Sequence, residues 1–260
     1  MINNSEINIA KFCIESALRQ GASAARASLS KSIIDSSMML NGELDKVTHS
    51  ADRSIYMYIY ADCRYGTFST NRLEKDELED FIGKAISMVR MLGEDLCRTL
   101  PEAGRTAKDA RTGLELNLYD ATIAESGSDT RLERTERISI YQDLTQKWEQ
   151  DGYLIADGTG HKYRLISEEC EYTESFDDTF LIDSQGFEGR HTETTFSGFC
   201  EITVCDKDGN KYSGFWWENS PFYDKLGIDS IRQAALSRAV SQIGPRKRKG
   251  GHYKMVVDTS

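Results

Sequence analysis

Proline is scarce in this 260-residue chain, with 3 in all, so long Pro-rich spacers are excluded. No apolar run approaches the roughly 18–20 residues of a membrane-spanning helix. The opening Met1-Ile2-Asn3-Asn4-Ser5-Glu6 lacks the basic start and apolar core of a signal peptide. Six cysteines are present (Cys13, Cys63, Cys97, Cys170, Cys200 and Cys205), and none forms a C-x-x-C pair. Without a secretion signal, reduced structural thiols and a cytoplasmic location are expected. Basic residues are in deficit, 32 against 42 acidic ones, for a net charge of −10. That balance argues against a nucleic-acid partner, because phosphate backbones are held by many Lys and Arg contacts.

Histidine is also sparse. His49, His161, His191 and His252 include no i, i+4 pair, and none is followed directly by Glu. A zincin-type helix, which projects two ligands from one face, is therefore missing. His191-Thr192-Glu193 matches the H-x-E of zinc deaminases, but no P-C-x-x-C follows, and strand histidines in solvent are the plainer reading.

What is present is an ordinary globular composition, 39% hydrophobic and 28% charged. Ile7, Ala10, Cys13, Ile14, Ala17 and Leu18 recur at helical spacing over 5–20, with Gly21 as the stop. A strand over 23–30 follows. Asn41-Gly42 then joins strands 33–40 and 43–50, because both turn positions favour positive φ. Residues 53–61 alternate Ile55, Met57 and Ile59 with Tyr56, Tyr58 and Tyr60, predicting a strand with one apolar and one aromatic face. A short strand over 67–70 leads into a helix over 74–93 with Leu78, Phe81, Ile82, Ala85, Val89 and Leu92 as its stripe. Residues 95–117 read as a connection, and 128–149 as a charged helix carrying Ile138, Tyr141, Leu144 and Trp148. Strands are predicted over 163–173, 176–183, 193–205 and 211–217, with turns at Gln185-Gly186 and Asp208-Gly209. A helix over 230–243 begins at the capping box Ser230 to Gln233, and Tyr253 to Val257 reads as a last strand. A buried strand so near Ser260 predicts that the natural polypeptide continues.

The fold class expected is α+β: antiparallel or mixed sheets with helices packed on one face, a two-layer sandwich followed by a β-rich region. Residues 1–120 form the sheet-and-helix part, and 121–260 a helix with long antiparallel strands. Odd spacing sends Cys200 and Cys205 to opposite strand faces, which argues against a shared metal or a disulfide. The acids Glu168, Glu169 and Glu171, and those from Glu174 to Asp178, read as a solvated β surface. The basic run Arg246 to Lys249 reads as a solvated loop after a helix C-terminus. Phe215, Trp216, Trp217, Phe222 and Tyr223 crowd around Pro221, either as internal packing or as an exposed patch for a partner or a further domain.

Several strings resemble the amino-terminal region of the TldD/PmbA family, whose members also carry the label of DNA gyrase modulators. They are Ala17 to Ala22, the strand pair around Asn41-Gly42-Glu43-Leu44, Arg64 to Thr70, Leu116 to Asp120, Ile182 to Gly186 and Tyr253 to Val257. The tyrosines of 55–61 depart from the family's usual Gly-x-x-x-Arg-Val-like start, while Gly66 to Thr70 is closer to the PmbA-like branch. The resemblance implies a metallopeptidase, a hydrolase acting on short or unfolded peptides as homo- or heterodimers. Its zinc would lie in an H-E-x-x-x-H helix of a TldD-like partner or of a carboxy-terminal half. This chain would carry no cofactor and no catalytic residue of its own, and would shape peptide access; a free-standing protein-binding scaffold is the alternative.

Overall fold

The computed structural model describes residues 1–107, 115–147, 152–156 and 160–257. Strands β1 (Ala24–Leu40) and β2 (Glu43–Ala61) form a long hairpin. Its turn places Asn41 and Gly42 at φ +54° and +76°, the geometry that the Asn-Gly pair makes accessible. β3 (Arg64–Thr70) returns along the second half of β2. Later in the chain come β4 (Leu154–Ile155), β5 (Lys162–Asp183), β6 (Glu188–Cys205) and β7 (Lys211–Ser220). The main sheet runs β3-β2-β1-β5-β6-β7, with every pairing antiparallel and β4 attached to the start of β5.

The β-rich second half thus continues the first half's sheet, since β1 and β5 pair from Arg26↔Asp183 to Leu40↔Glu169. Strands that the sequence reading divided are single. The 23–30 and 33–40 strands are one β1, the 43–50 and 53–61 strands are one β2, and the 163–173 and 176–183 strands are one β5. The polar stretches that suggested breaks face each other across the β1–β5 ladder: Lys31 stands opposite Asp178 and Asp35 opposite Glu174.

The helices are α1 (Asn4–Arg19), α2 (Lys75–Val89), α3 (Ser128–Ile138), α4 (Tyr141–Thr145) and α5 (Ile228–Val240). Asn3 and Glu6 form a reciprocal capping box on α1, and Gly21 at φ +96° lets the chain leave it. α1 and α2 bury Ala10, Cys13, Leu78 and Ile82 against Leu29, Ile55, Met57, Ile59, Phe180 and Ile182. α3 and α5 bury Ile138, Ile231 and Ala235 against Cys170, Tyr172, Phe196, Cys200 and Ile202. Cys170, Tyr172, Phe180 and Ile182 share one parity of β5, so both cores lie on the same face of the sheet. The α+β expectation, with helices on one face, holds.

The charged helix expected over 128–149 is instead α3 and α4, broken at Ser139-Ile140. There the Glu168 carboxylate accepts from Ser139 Oγ at 2.5 Å and from Ile140 N at 2.6 Å. Trp148, assigned to that helix, lies outside the described residues. The expected last strand is also absent: Tyr253, Met255, Val256 and Val257 are exposed in irregular chain. α5 starts at Ile228, two residues before Ser230, with Gly227 as its N-cap, so no capping box forms. The Ser230 hydroxyl instead donates to Glu218 at 2.8 Å.

Candidate functional site

Alternation leaves the second face of the sheet uncovered by any helix or strand among the described residues. Ser28 and Ser30 of β1, Tyr56 and Tyr58 of β2, Thr179 of β5 and Thr195 of β6 lie on it, half-buried or exposed. Small hydroxyls, phenols and a few acids make this a polar surface that can hydrogen-bond an extended chain without a deep apolar pocket. At its far edge β7 pairs, among the described residues, with β6 alone and leaves its other edge without a strand partner.

The five aromatics singled out in the sequence divide between the faces. Phe215 and Trp217 are each 50% exposed on the uncovered face, where Phe215 lies 6.3 Å from Phe199 between ring centroids. Trp216 points to the helix side under the Arg238 guanidinium, 4.3 Å from the ring centroid, and borders the second core. Tyr223 packs on the same core, with the Arg134 guanidinium 3.6 Å from its centroid. Phe222 is half-buried with Lys225 Nζ 4.5 Å above it.

Three acids expected in solvent are buried: Glu168, Glu174 and Asp178 share the parity of Tyr172 and Phe180 and point at the helix layer. Glu174 accepts from Arg131 and Arg134, each at 3.0 Å, and Arg131 also reaches Asp35 at 3.5 Å. Arg134, 8% exposed, donates to Tyr172 as well, at 2.7 Å. Asp178 accepts from Arg190 at 2.7 and 3.0 Å, from Thr192 and from Ile2 N. Burial alone would raise the Asp178 carboxyl, but these hydrogen bonds outweigh it and hold it below the ordinary carboxylate range. For Glu168 the balance is opposite: burial exceeds the help of Ser139 and Ile140, and its carboxyl is pushed up.

Glu168, Cys170 and Cys200 form one acid–thiol group with donor atoms within 4.8 Å of one another. Cys170 stands directly opposite Cys200 with the sulfurs 3.2 Å apart; Cys205, on the other parity, does not join them. A catalytic zinc does not fit here. Both Glu168 oxygens are taken by Ser139 and Ile140, no histidine takes part, and all three side chains are buried. The Cys170 thiol, hydrogen-bonded to Cys200 and desolvated, is held protonated. His191 and His49 pair with Glu193 and Asp35, each at 2.8 Å, rather than with any metal-ligand set.

The fold and these surfaces define, among the described residues, an α+β body with a helix-covered face and an open polar face. The chain is similar to the TldD/PmbA family over somewhat less than half of its length. Residues 129–243 match the PmbA/TldA metallopeptidase central domain. The structure is similar to that of a candidate modulator of DNA gyrase from Bacteroides thetaiotaomicron, with a TM-score of 0.81 and 28% identity over 96% of this chain. It also shares its fold with a candidate gyrase modulator from Thermotoga maritima (TM-score 0.66, 16% identity, 94% of this chain). TldE from Thermococcus kodakarensis is a further match in fold (TM-score 0.63, 12% identity, 89% of this chain). The chain spans about half of each, 52%, 50% and 47% respectively. Among curated proteins nothing matches.

Proposed function

We propose that this chain is a non-catalytic part of a TldD/PmbA-type metallopeptidase, and that its open sheet face guides short or unfolded peptides towards a zinc site carried elsewhere. The observation behind the reading is the segregation of the α-helices, among the described residues, to one face of a seven-stranded sheet, leaving hydroxyls, phenols and an aromatic edge uncovered. Such a surface suits backbone-rich, sequence-tolerant contact with extended chains. The hydrolytic chemistry would be supplied by a zinc site in a TldD-like polypeptide or a carboxy-terminal half. Phe215 and Trp217, with Phe222 at the rim, are the residues we assign to contact with that partner.

The test is reconstitution in the cytoplasmic setting expected of the pair. The purified chain alone should leave an unfolded peptide intact, and adding the zinc-bearing family subunit should give cleavage that exceeds that subunit's own. The double variant Phe215→Ala, Trp217→Ala should reduce co-elution of the two polypeptides. Peptide cleavage by the isolated chain, or partner cleavage indifferent to its presence, would overturn the reading.

A further inference from the structure

One corner of the open face gathers donors without matching acceptors. Arg26 of β1 lies directly opposite Tyr58 of β2, and Tyr60 opposite Tyr65 of β3, with the two rings 4.9 Å apart. The Arg98 guanidinium sits 5.1 Å from the Tyr65 ring centroid. Beside them is a cavity of about 270 Å³ lined by Tyr60, Arg98, Ser23 and Gln185 among others. The hydroxyls of Tyr58, Tyr60 and Tyr65 have no hydrogen-bond partner among the described residues.

Both guanidiniums are poorly compensated, and for the same reason. Asp183 uses one oxygen to accept from the Gln185 and Phe187 amides of its turn, and its other oxygen lies 3.5 Å from Arg26. Asp95 likewise accepts from the Cys97 amide and stands 3.6 Å from Arg98. Arg26 Nε is buried with no acceptor among the described residues. Arg64 also lines that cavity, but its guanidinium is already engaged by Leu92, Asp62 and Glu94. A partly buried, half-paired cation among unpaired phenols is short of an oxyanion.

We propose that Arg26, Arg98, Tyr58, Tyr60 and Tyr65 form a carboxylate-binding corner that anchors an extended peptide on the open face. This rests on the reading of that face as a peptide surface. Arg26 and Arg98 supply charge, and the phenols supply neutral donors around the same group. Burial pushes the Tyr60 and Tyr65 hydroxyls above the usual phenol range, so they remain protonated donors at neutral pH.

Calorimetric titration of this chain with three synthetic peptides tests it: one with a free α-carboxylate and no acidic side chain, the same peptide amidated, and the amidated peptide with one internal Glu. Amidation should weaken binding about tenfold. Recovery by the internal Glu would assign the corner to acidic side chains as well as chain ends; no recovery assigns it to the α-carboxylate alone. Arg26→Gln should erase the difference between free and amidated peptides. Because Arg26 is mostly buried, the exposed Arg98→Gln serves as a second variant and should shrink that difference. Equal affinity of free and amidated peptides for the unaltered chain overturns the carboxylate corner but leaves the peptide surface standing. Absence of binding by all three peptides overturns both.

Discussion

Two cores sit side by side on one face of one sheet, and they are built by different means. Under α1 and α2 the core is mostly aliphatic, closed by Leu78, Ile82, Ile55, Met57 and Ile59, all fully buried, with Phe180 as its buried ring. Under α3 and α5 the core includes Tyr172 and Phe196, and charged groups line its border. Arg134 lies within 6 Å of the Tyr172, Phe196 and Tyr223 ring centroids and is neutralised by Glu174. α3 is a helix of Arg, Glu and Thr that is nevertheless buried at Arg134, Thr135 and Ile138. An aliphatic core tolerates small changes of shape, whereas a paired charge in low dielectric fails when either member is removed.

The largest effect should therefore come from Glu174. Glu174→Ala leaves Arg131 and Arg134, 14% and 10% exposed at their side chains, without their shared carboxylate. A loss of about 3–5 kcal/mol is expected in chemical denaturation, as for other broken buried pairs. A loss below about 1 kcal/mol would show that water enters this region freely and that the contrast between the cores is false. Leu78→Ala in the aliphatic core should cost about 2–4 kcal/mol by transfer and cavity terms. Its substitution by Met should be nearly neutral, a tolerance that no single replacement of Glu174 should show.

The two cores also differ in how far the sequence disclosed them. Ile55, Met57 and Ile59 alternate with tyrosines, so β2's buried face was legible from period two alone, as was the α2 stripe through Leu78, Ile82, Ala85 and Val89. On β5 the inward residues are Glu168, Cys170, Tyr172, Glu174, Phe176, Asp178, Phe180 and Ile182. Their parity was readable back from Phe180 and Ile182, yet three carboxylates at inward positions read as solvent-facing, because their partners are distant in sequence. Ser139 and Ile140 supply the partners of Glu168, Arg131 and Arg134 those of Glu174, and Arg190 that of Asp178, and nothing local announces the pairings. The split of the aromatics was partly legible, since Trp216 and Trp217 are neighbours on a strand and must face opposite ways. Which of them α5 would cover was not.

Titration should sharpen the comparison along a single strand. Asp178 is depressed, so it contributes stability above the unfolded carboxyl value, near 3.9, which is lost as pH falls through its lower folded value. The stability difference between the parent and Asp178→Asn should be greatest at neutral pH and narrow below about pH 4. Glu168 is raised, and the sign reverses: its contribution is complete below the unfolded carboxyl value and is lost as pH rises through the folded one. Glu168→Gln should therefore flatten the decline of stability on the alkaline side of that interval. Parallel slopes for the two variants would contradict the opposite balances of burial and hydrogen bonding at these sites.

The mildest probe leaves stability unchanged and asks which core opens first. Cys63 and Cys97 are exposed, while Cys13 lies in the aliphatic core and Cys170, Cys200 and Cys205 in or beside the charged one. Burial pushes the Cys13 thiol up to about 12, and the Cys200 contact with burial raises Cys170 further, so neither supplies thiolate in the closed state. An aromatic disulfide reagent should modify two thiols rapidly and the other four only through opening of the fold. A charge-bordered core depends on interactions that low pH and salt weaken, so mild acid should speed modification of Cys170 and Cys200 before that of Cys13, with peptide mapping to assign each sulfur. Simultaneous modification of all three would instead show that the shared strand β5 couples the cores into one cooperative unit.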